Sequence, residues 1–478
     1  MKIVIVGFGM AGARLADELS AMDADVTVVG AEIHSAYNRI LLSSVLAGKH
    51  RPADISMSTR AKARVGVAAI AIDRAAQTVR LADGTLLPYD HLVLATGSQA
   101  LVPPVPGLEH AFTFRTLDDC HRILEAAATA ESALVLGGGL LGLEAARGLA
   151  LRGLRVEVVH AVGHLMERQL DPAASRVLER TLEALHITVH LAAATTSARF
   201  PAMAGASATA GATATAGATA GAGAELTLAD GRVLSADLLV VACGVRPDVA
   251  LAKQAGLVVD RGIVVDERLR TSDRRISALG DCAQLGNEVG GLVAPAWEQA
   301  RVIARQLSGA EPLAVYSPAA PVTRLKASGI DLAAMGSMQA APHDEDLSFA
   351  DPARGTYARL LIRDDRVAGA VMLGDNPSIG QVIQLFDRRA TVPSDRRALL
   401  LGRAIGGGTP STVDTPALMP DGATVCQCNS VSKGELVRCW REGAHGMEAL
   451  VGATKATTGC GTCRDAVEGI VDWLVTAA

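Results

Sequence analysis

The feature that most constrains the fold is a glycine motif near the start of the chain. Residues 2–6, KIVIV, form a β-branched apolar run of the kind that is buried in a parallel sheet. Gly7-x-Gly9-x-x-Gly12 follows, then a helix-compatible segment and a second apolar run, with Glu32 about 20 residues beyond Gly12. Such glycines allow a tight turn and close approach of a pyrophosphate, and the acid binds a ribose hydroxyl. The stretch predicts a dinucleotide-binding βαβ unit.

The same pattern recurs further along the chain. Residues 133–136, ALVL, lead into a second motif with Gly137, Gly139 and Gly142, followed by a helix and a strand-like run. Two such units indicate two dinucleotides, or one dinucleotide and a degenerate copy of its site. His160 occupies the position of the acid that selects NAD, and it is not the arginine expected for NADP either. The sequence leaves the choice between NADH and NADPH open.

Four cysteines lie near the end of the sequence in two close pairs, Cys426-x-Cys428 and Cys460-x-x-Cys463. Four thiolates can hold a [2Fe-2S] cluster, and four cysteines can also bind zinc. Zinc sites commonly place two to four residues between the first two ligands, so a gap of one residue favours the cluster. Cys439 lies between the pairs in an apolar helix pattern and is not predicted as a ligand.

Length, charge and composition limit the other possibilities. The 478 residues carry a formal net charge of −5, with both signs spread along the chain and only 3% aromatic residues. This balance gives no indication of a nucleic-acid partner. No apolar run reaches the roughly 18 residues of a membrane helix, and the N-terminal segment lacks the pattern of a signal peptide. We therefore expect a cytoplasmic protein with no membrane contact and about three or four domains.

Composition also divides the chain into segments. Residues 201–224 are low-complexity Ala, Gly and Thr, which predicts a flexible expansion of a surface loop. After residue 310, short apolar runs predict a small α+β domain with antiparallel strands. Residues 402–422 are rich in Gly, Pro and Thr and are interpreted as a linker to the cysteine segment.

Several segments outside the glycine motifs carry a family resemblance. YDHLVLATGS (89–98), CGVRPD (243–248) and TSDRRISALGDCA (271–283) resemble motifs of the pyridine-nucleotide-disulfide oxidoreductase superfamily. YNRILLSSVLAG, LMERQLD, LVAPAWEQA and TRLKASGIDL resemble the assimilatory NAD(P)H nitrite reductase large subunit, and equally the electron-transfer subunit of assimilatory nitrate reductase. The cysteine segment is similar to the bacterioferritin-associated-ferredoxin-like (BFD-like) [2Fe-2S] domain of those proteins.

The resemblance implies an α/β fold class with two Rossmann-like dinucleotide-binding domains in the glutathione-reductase-like arrangement. A small α+β domain and a small, mainly helical BFD-like [2Fe-2S] domain would follow. The implied ranges are 1–115 and 257–316 for the FAD domain, 116–256 for the NAD(P) domain, 317–401 for the α+β domain, 402–422 for the linker and 423–478 for the BFD-like domain.

The resemblance also implies roles for individual residues. Asp281 would reach the ribityl chain and phosphates of the flavin. Glu144 would act near the contact of nicotinamide and flavin, although an acid near the start of a helix is also stabilised by the helix dipole alone. The lysine that pairs with this glutamate in related ferredoxin reductases is replaced here by Ser44. The implied cofactor-binding residues are Gly7, Gly9, Met10, Ala11, Gly12, Glu32, Arg39, Thr96, Gly97, Gly137, Gly139, Gly142, Gly280 and Asp281, and the implied cluster ligands are Cys426, Cys428, Cys460 and Cys463.

NAD(P)H, FAD and a [2Fe-2S] cluster in one chain would convert a two-electron donor into one-electron steps. No cysteine lies between residues 1 and 119, which disfavours a thiol relay at the flavin. We expect an NAD(P)H:acceptor oxidoreductase that serves a separate polypeptide, because the sequence has no further cysteine set for sirohaem and [4Fe-4S].

The expected partner is a nitrate reductase catalytic subunit or a sirohaem nitrite reductase, and a homodimer is compatible with the sequence. Two alternatives stay open. One is a flavoprotein subunit of an amino-acid-type oxidase or dehydrogenase, which the intact second glycine motif disfavours. The other is a non-catalytic iron–sulfur sensor or docking protein.

Overall fold

The computed structural model describes most of the chain. Two of the four predicted cluster ligands, Cys428 and Cys460, lie outside the described residues, as do most of the low-complexity segment and most of the predicted linker. The described residues are 1–478 without 21–23, 58, 60–62, 202–222, 319, 321, 326, 377, 402–415, 427–428, 430, 458–462 and 478.

The strands fall into two parallel sheets and several antiparallel ones. In chain order they are β1 (Lys2–Val6), β2 (Asp25–Val29), β3 (Ala63–Arg64), β4 (Ala69–Asp73), β5 (Thr78–Leu81), β6 (Leu86–Pro88), β7 (His91–Leu94), β8 (Ser98–Ala100), β9 (Phe112–Thr113), β10 (Ser132–Leu136), β11 (Arg155–Val159), β12 (Ile187–His190), β13 (Thr195–Arg199), β14 (Ala224–Leu228), β15 (Val233–Ala236), β16 (Leu238–Val241), β17 (Val245–Pro247), β18 (Ile263–Val265), β19 (Ile276–Ala278), β20 (Ala283–Leu285), β21 (Glu288–Val289), β22 (Val322–Leu325), β23 (Leu332–Gly336), β24 (Glu345–Asp351), β25 (Thr356–Arg363), β26 (Arg366–Leu373), β27 (Thr424–Cys426) and β28 (Val431–Ser432).

Helices connect the parallel strands and make up most of the last domain. In chain order they are α1 (Met10–Ser20), α2 (Leu42–Leu46), α3 (Leu117–Ala127), α4 (Leu140–Ala150), α5 (Pro172–Ala184), α6 (Ala250–Gln254), α7 (Val293–Leu307), α8 (Ile379–Asp387), α9 (Arg397–Leu401), α10 (Lys433–Arg441), α11 (Met447–Thr454) and α12 (Arg464–Ala477). Among the described residues, every helix is too short or too polar to cross a membrane.

The first parallel sheet has the strand order β19-β7-β1-β2-β3. β1 is central and four of its five residues are buried, as expected for a strand covered on both faces. α1 and α7 contribute the apolar residues Leu15 and Ile303 to the same core. Because parallel strands end at one edge, Gly7, Glu32 and Asp281 follow β1, β2 and β19 at the same edge of the sheet.

The second parallel sheet repeats this design in the order β12-β11-β10-β16-β9. Gly137 follows β10 and His160 follows β11. β9 pairs with β16 in this sheet, although the predicted FAD range extends to residue 115. β14 begins at Ala224, the last residue of the predicted low-complexity segment, and it belongs to the antiparallel sheet β13-β14-β15.

Two further units complete the fold. The antiparallel sheet β22-β23-β26-β25-β24 packs with α8. It is joined to α5 through Asp171, which accepts hydrogen bonds from Tyr357 at 2.8 Å and from Arg359 at 3.1 Å. The last unit consists of the β27-β28 hairpin with α10, α11 and α12 around a core of its own. α10 begins with a capping box in which Ser432 and Glu435 satisfy each other's backbone N–H groups.

Candidate functional site

The edges that carry the two glycine motifs open onto one cleft of about 1960 Å³. The predicted dinucleotide-contact residues line this cleft with the exception of Gly12 and Gly142, which lie beneath the turns. Glu144 also lines it. The cleft-lining members of the predicted set are Gly7, Gly9, Met10, Ala11, Glu32, Arg39, Thr96, Gly97, Gly137, Gly139, Gly280 and Asp281.

The first glycine turn is closed by backbone contacts that leave no room for a side chain at Gly7 or Gly12. Gly7 has φ +115°, and a Cβ there would lie 2.0 Å from the carbonyl oxygen of Ala95. A Cβ on Gly12 would lie 1.9 Å from the carbonyl oxygen of Gly7. Around Gly9 the nearest atom is Nε of Arg39, 3.8 Å from the position of an added Cβ. The backbone is therefore open on the cleft side, as a pyrophosphate requires.

Glu32 at the end of β2 is held by two neighbours. The Tyr37 hydroxyl donates a hydrogen bond of 2.7 Å to one carboxylate oxygen, and the Arg39 guanidinium pairs with the other. Burial raises the pKa of Tyr37, so its hydroxyl stays a donor. Burial acts to lower the pKa of Arg39, but Tyr37 and Glu32 outweigh it and the pKa is raised. The two contacts thus orient the carboxylate at the wall of the cleft.

Asp281 is held in a similar way by Ser98, the last residue of the YDHLVLATGS motif, and by Arg115, which lies outside the motifs. Ser98 Oγ donates to Asp281 Oδ2 at 2.8 Å, and Arg115 Nη2 donates to the same oxygen at 2.6 Å. Gly280 has φ +74°, and its N–H donates to the side-chain oxygen of Gln299 at 2.8 Å. Asp281 therefore has a fixed orientation, in which Oδ2 accepts the hydrogen bonds from Ser98 and Arg115.

Replacing Arg115 with methionine is expected to weaken FAD binding about ten-fold, because it leaves the part-buried Asp281 carboxylate without its charged partner. The dissociation constant would be measured by flavin fluorescence on the reconstituted protein. Arg74→Met is a matched control, since it breaks a comparable ion pair, with Asp273 at 2.9 Å, away from the cleft. Equal affinities of the two variants for FAD would contradict this role of Arg115.

The second glycine turn has nearly the same geometry as the first. Gly137 has φ +121°, and a Cβ on Gly142 would lie 1.9 Å from the carbonyl oxygen of Gly137. A Cβ on Gly139 would meet no atom within 4 Å, so the turn is open to the cleft there. Glu144 is the fifth residue of α4, beyond the first helical turn in which a dipole stabilises an acid most. Its place in the cleft wall favours the role near the cofactors.

His160 follows β11 directly, with its ring packed against the second turn. Its Nδ1 accepts a hydrogen bond from the N–H of Gly138 at 3.1 Å, which makes the imidazole part of the glycine turn. Its Nε2 lies 3.2 Å from a carboxylate oxygen of Glu167 without forming a hydrogen bond to it. Glu167 lines the cleft, so an acid is present here although the fingerprint position is occupied by histidine. The sequence alone did not indicate Glu167.

The last unit brings two of the predicted cluster ligands into one core. Cys426 ends β27 and Cys463 lies just before α12, and both are buried. Cys439 on α10 is half-buried at the edge of the same core. The side-chain amide of Asn429 places its nitrogen 3.7 Å from the sulfur of Cys426. Buried thiolates beside an N–H donor form the environment that iron–sulfur clusters occupy.

Protein-family models match most of the chain. The model for pyridine nucleotide-disulphide oxidoreductases covers residues 1–302. The chain belongs to this family. The rubredoxin NAD+ reductase C-terminal domain matches residues 321–388, and the BFD-like [2Fe-2S] binding domain matches residues 424–473. The predicted family, the α/β fold class and the cofactors FAD, NAD(P)H and [2Fe-2S] are therefore confirmed.

Individual relatives agree with these matches. The chain is 33% identical over 490 residues to the assimilatory nitrate reductase electron transfer subunit of Bacillus subtilis, covering 99% of this chain and 60% of that protein. It is also 33% identical to a nitrite reductase [NAD(P)H] of B. subtilis, covering 98% of this chain and 57% of the relative. The chain thus spans somewhat more than half the length of these relatives. Among solved structures, the covalent putidaredoxin reductase–putidaredoxin complex matches with a TM-score of 0.70 and 28% identity, covering 82% of this chain and 94% of the matched one.

The residues of the cleft fit the cofactors of the family. The open backbone at Gly9 and Gly139 admits a pyrophosphate at each turn, and Glu32 faces the first site as an oriented carboxylate. Two cysteines outside the predicted cluster ligands, Cys120 and Cys243, are unsuited to thiol redox chemistry. Burial raises the pKa of Cys243 to about 11 and that of Cys120 to about 12, so both thiols stay protonated at neutral pH.

Proposed function

We propose that this oxidoreductase transfers electrons from NAD(P)H by way of FAD and the [2Fe-2S] cluster to a separate reductase of nitrate or nitrite assimilation. The observation that carries the proposal is that both dinucleotide edges share one cleft, while the cysteine-bearing unit contacts the 38–41 turn at the border of that cleft. When bound, the nicotinamide and flavin supply hydride transfer and the cluster carries electrons singly.

The residues of this chain bind and orient the cofactors. The N–H groups of the two glycine turns would hold the pyrophosphates, and Glu32, whose carboxylate pairs with Arg39, would position a ribose hydroxyl. Asp281, held by Arg115, is assigned to the flavin side of the cleft. Glu144 is proposed to act where nicotinamide and flavin meet. Hydride transfer itself requires no general acid or base, so the contribution of Glu144 is electrostatic and positional.

The proposed partner follows from the names of the relatives. One is an electron transfer subunit of nitrate reductase, which implies a separate catalytic chain for that protein. The other is a nitrite reductase [NAD(P)H]. For this chain the partner would be a nitrate reductase catalytic subunit or a sirohaem nitrite reductase.

An anaerobic titration tests the proposed function. Adding NADH or NADPH to the purified protein is expected to bleach the flavin absorbance and then produce the EPR signal of a reduced [2Fe-2S] cluster. A reconstituted assay with either candidate reductase should show NAD(P)H-dependent reduction of nitrate or nitrite. Flavin bleaching by an amino acid with no response to either nucleotide would contradict the proposal.

A further inference from the structure

We propose that Asn38 and Asn429 form an amide bridge that fixes the BFD-like unit on the flavin side of the cleft and orients an N–H donor toward the cluster ligand Cys426. The inference rests on the proposed function, because it concerns the step between the flavin site and the cluster site. Both asparagines act as positioning residues.

The bridge joins two units that are distant in sequence. Asn38 Nδ2 donates a hydrogen bond of 3.0 Å to Asn429 Oδ1 across 391 residues of chain. Only 6% of Asn38 and 5% of Asn429 is exposed. Buried polar side chains in proteins almost always have a hydrogen-bond partner. The hydrogen bond between these two buried amides therefore constrains the position of one unit relative to the other.

The side chain of Asn38 is fixed by its own turn. Its Oδ1 accepts a hydrogen bond from the N–H of Ile40 at 3.1 Å, which caps the 3₁₀ turn Arg39–Leu41. Its backbone N–H donates to the carbonyl oxygen of Ile55 at 2.8 Å. With Oδ1 committed to the cap, Nδ2 must point toward Asn429. The orientation of the amide therefore follows from the turn, whose next residue, Arg39, lines the dinucleotide cleft.

The orientation of the Asn38 amide fixes that of the Asn429 amide, which lies at the predicted cluster site. With Oδ1 of Asn429 facing Asn38, its Nδ2 donates to the carbonyl oxygen of Lys455 at 2.5 Å and lies 3.7 Å from the sulfur of Cys426. If the side-chain amide of Asn429 were rotated by 180°, its oxygen instead of its N–H groups would face the Lys455 carbonyl oxygen and the Cys426 sulfur. Hydrogen bonds to cluster sulfurs raise the reduction potential, so Asn38 favours the arrangement in which the cluster accepts an electron more readily.

Apolar contact accompanies the bridge. Ile40, two residues beyond Asn38, packs against the core of the BFD-like unit. A cavity of about 460 Å³ lies between the two units and is lined by both asparagines, by Trp297 of α7 and by Cys439 of α10. The bridge and Ile40 thus lie at the rim of a partly open interface, where a directional hydrogen bond sets the relative position of the units.

The test compares Asn38→Asp with the unchanged protein. Aspartate keeps the shape and can still cap the turn, but as a carboxylate it offers no donor, so Asn429 must turn its Nδ2 away from Cys426 to meet it. We expect a lower cluster potential in an EPR-monitored redox titration. We also expect cluster reduction after NAD(P)H addition to slow about ten-fold, with the rate of flavin bleaching unchanged. Asn376→Ala, at a buried asparagine of the α+β domain that bonds Ser378, is the matched control.

A second measurement does not depend on electron transfer. Hydrogen exchange of residues 37–41 and 424–432 in the oxidised protein should speed up in Asn38→Asp and Asn38→Ala and stay unchanged in Asn376→Ala. Unchanged exchange together with an unchanged cluster potential would overturn the bridge. Failure of both nucleotides to bleach the flavin would instead overturn the proposed function, and the exchange experiment would still decide whether the bridge holds the units together.

Discussion

Replacing Cys463 with serine is expected to abolish the cluster EPR signal and to reduce the transfer of electrons to a partner reductase to background. A serine hydroxyl is a poor ligand for the iron of a cluster, and Cys463 is buried in the same core of the BFD-like unit as Cys426. Bleaching of the flavin by NAD(P)H should persist, because the two parallel sheets that carry the glycine turns pack around cores separate from that of the BFD-like unit. Iron analysis, EPR and stopped-flow absorbance of the purified variant measure the three effects.

Cys439→Ser is the matched control for this experiment. Cys439 lies in the same unit on α10, is half-buried and is not a predicted ligand. It should retain iron and the EPR signal. A cluster that survives in Cys463→Ser, or is lost equally in Cys439→Ser, would contradict the ligand assignment. Loss of flavin bleaching in Cys463→Ser with FAD still bound would contradict the proposed order of electron flow.

Gly12→Ala is expected to yield protein without FAD and with lower thermal stability. The added Cβ would lie 1.9 Å from the carbonyl oxygen of Gly7, a backbone atom that cannot move without opening the turn after β1. Relieving such an overlap costs about 3 kcal/mol of folding free energy or displaces the turn. The ratio of flavin to protein absorbance and a thermal melt give the two readouts.

Gly142→Ala provides a paired comparison, because its Cβ would meet the carbonyl oxygen of Gly137 at the same 1.9 Å. This variant should keep FAD, respond to dithionite and lose bleaching by NAD(P)H. Gly380→Ala in α8 is the control, since an added Cβ there would meet no atom within 4 Å. If Gly12→Ala lost nucleotide reduction while Gly142→Ala lost FAD, the assignment of the two turns would be reversed.

The sequence by itself determined the family, the fold class and the cofactors. These properties depend on short local patterns, such as the strand and glycine turn at Lys2–Gly12 and the cysteine pairs, whose chemistry is set by residues close together in the chain. The positions of Gly7 and Gly12 could be predicted for the same reason, since a turn of fixed geometry follows from a local motif. The ranges of the domains and the roles of the site residues stay predictions.

Only the tertiary structure decided which side chains hold the site residues in place. Arg115 bonds to Asp281 across 166 residues of chain, and Asn38 bonds to Asn429 across 391. The loop after β11 brings Glu167 next to His160. Such contacts have no periodicity and no fixed spacing, because they depend on how separate units pack against one another. A residue such as Asn38 is an ordinary turn asparagine in the sequence, and its proposed role toward the cluster becomes visible only where the two units meet.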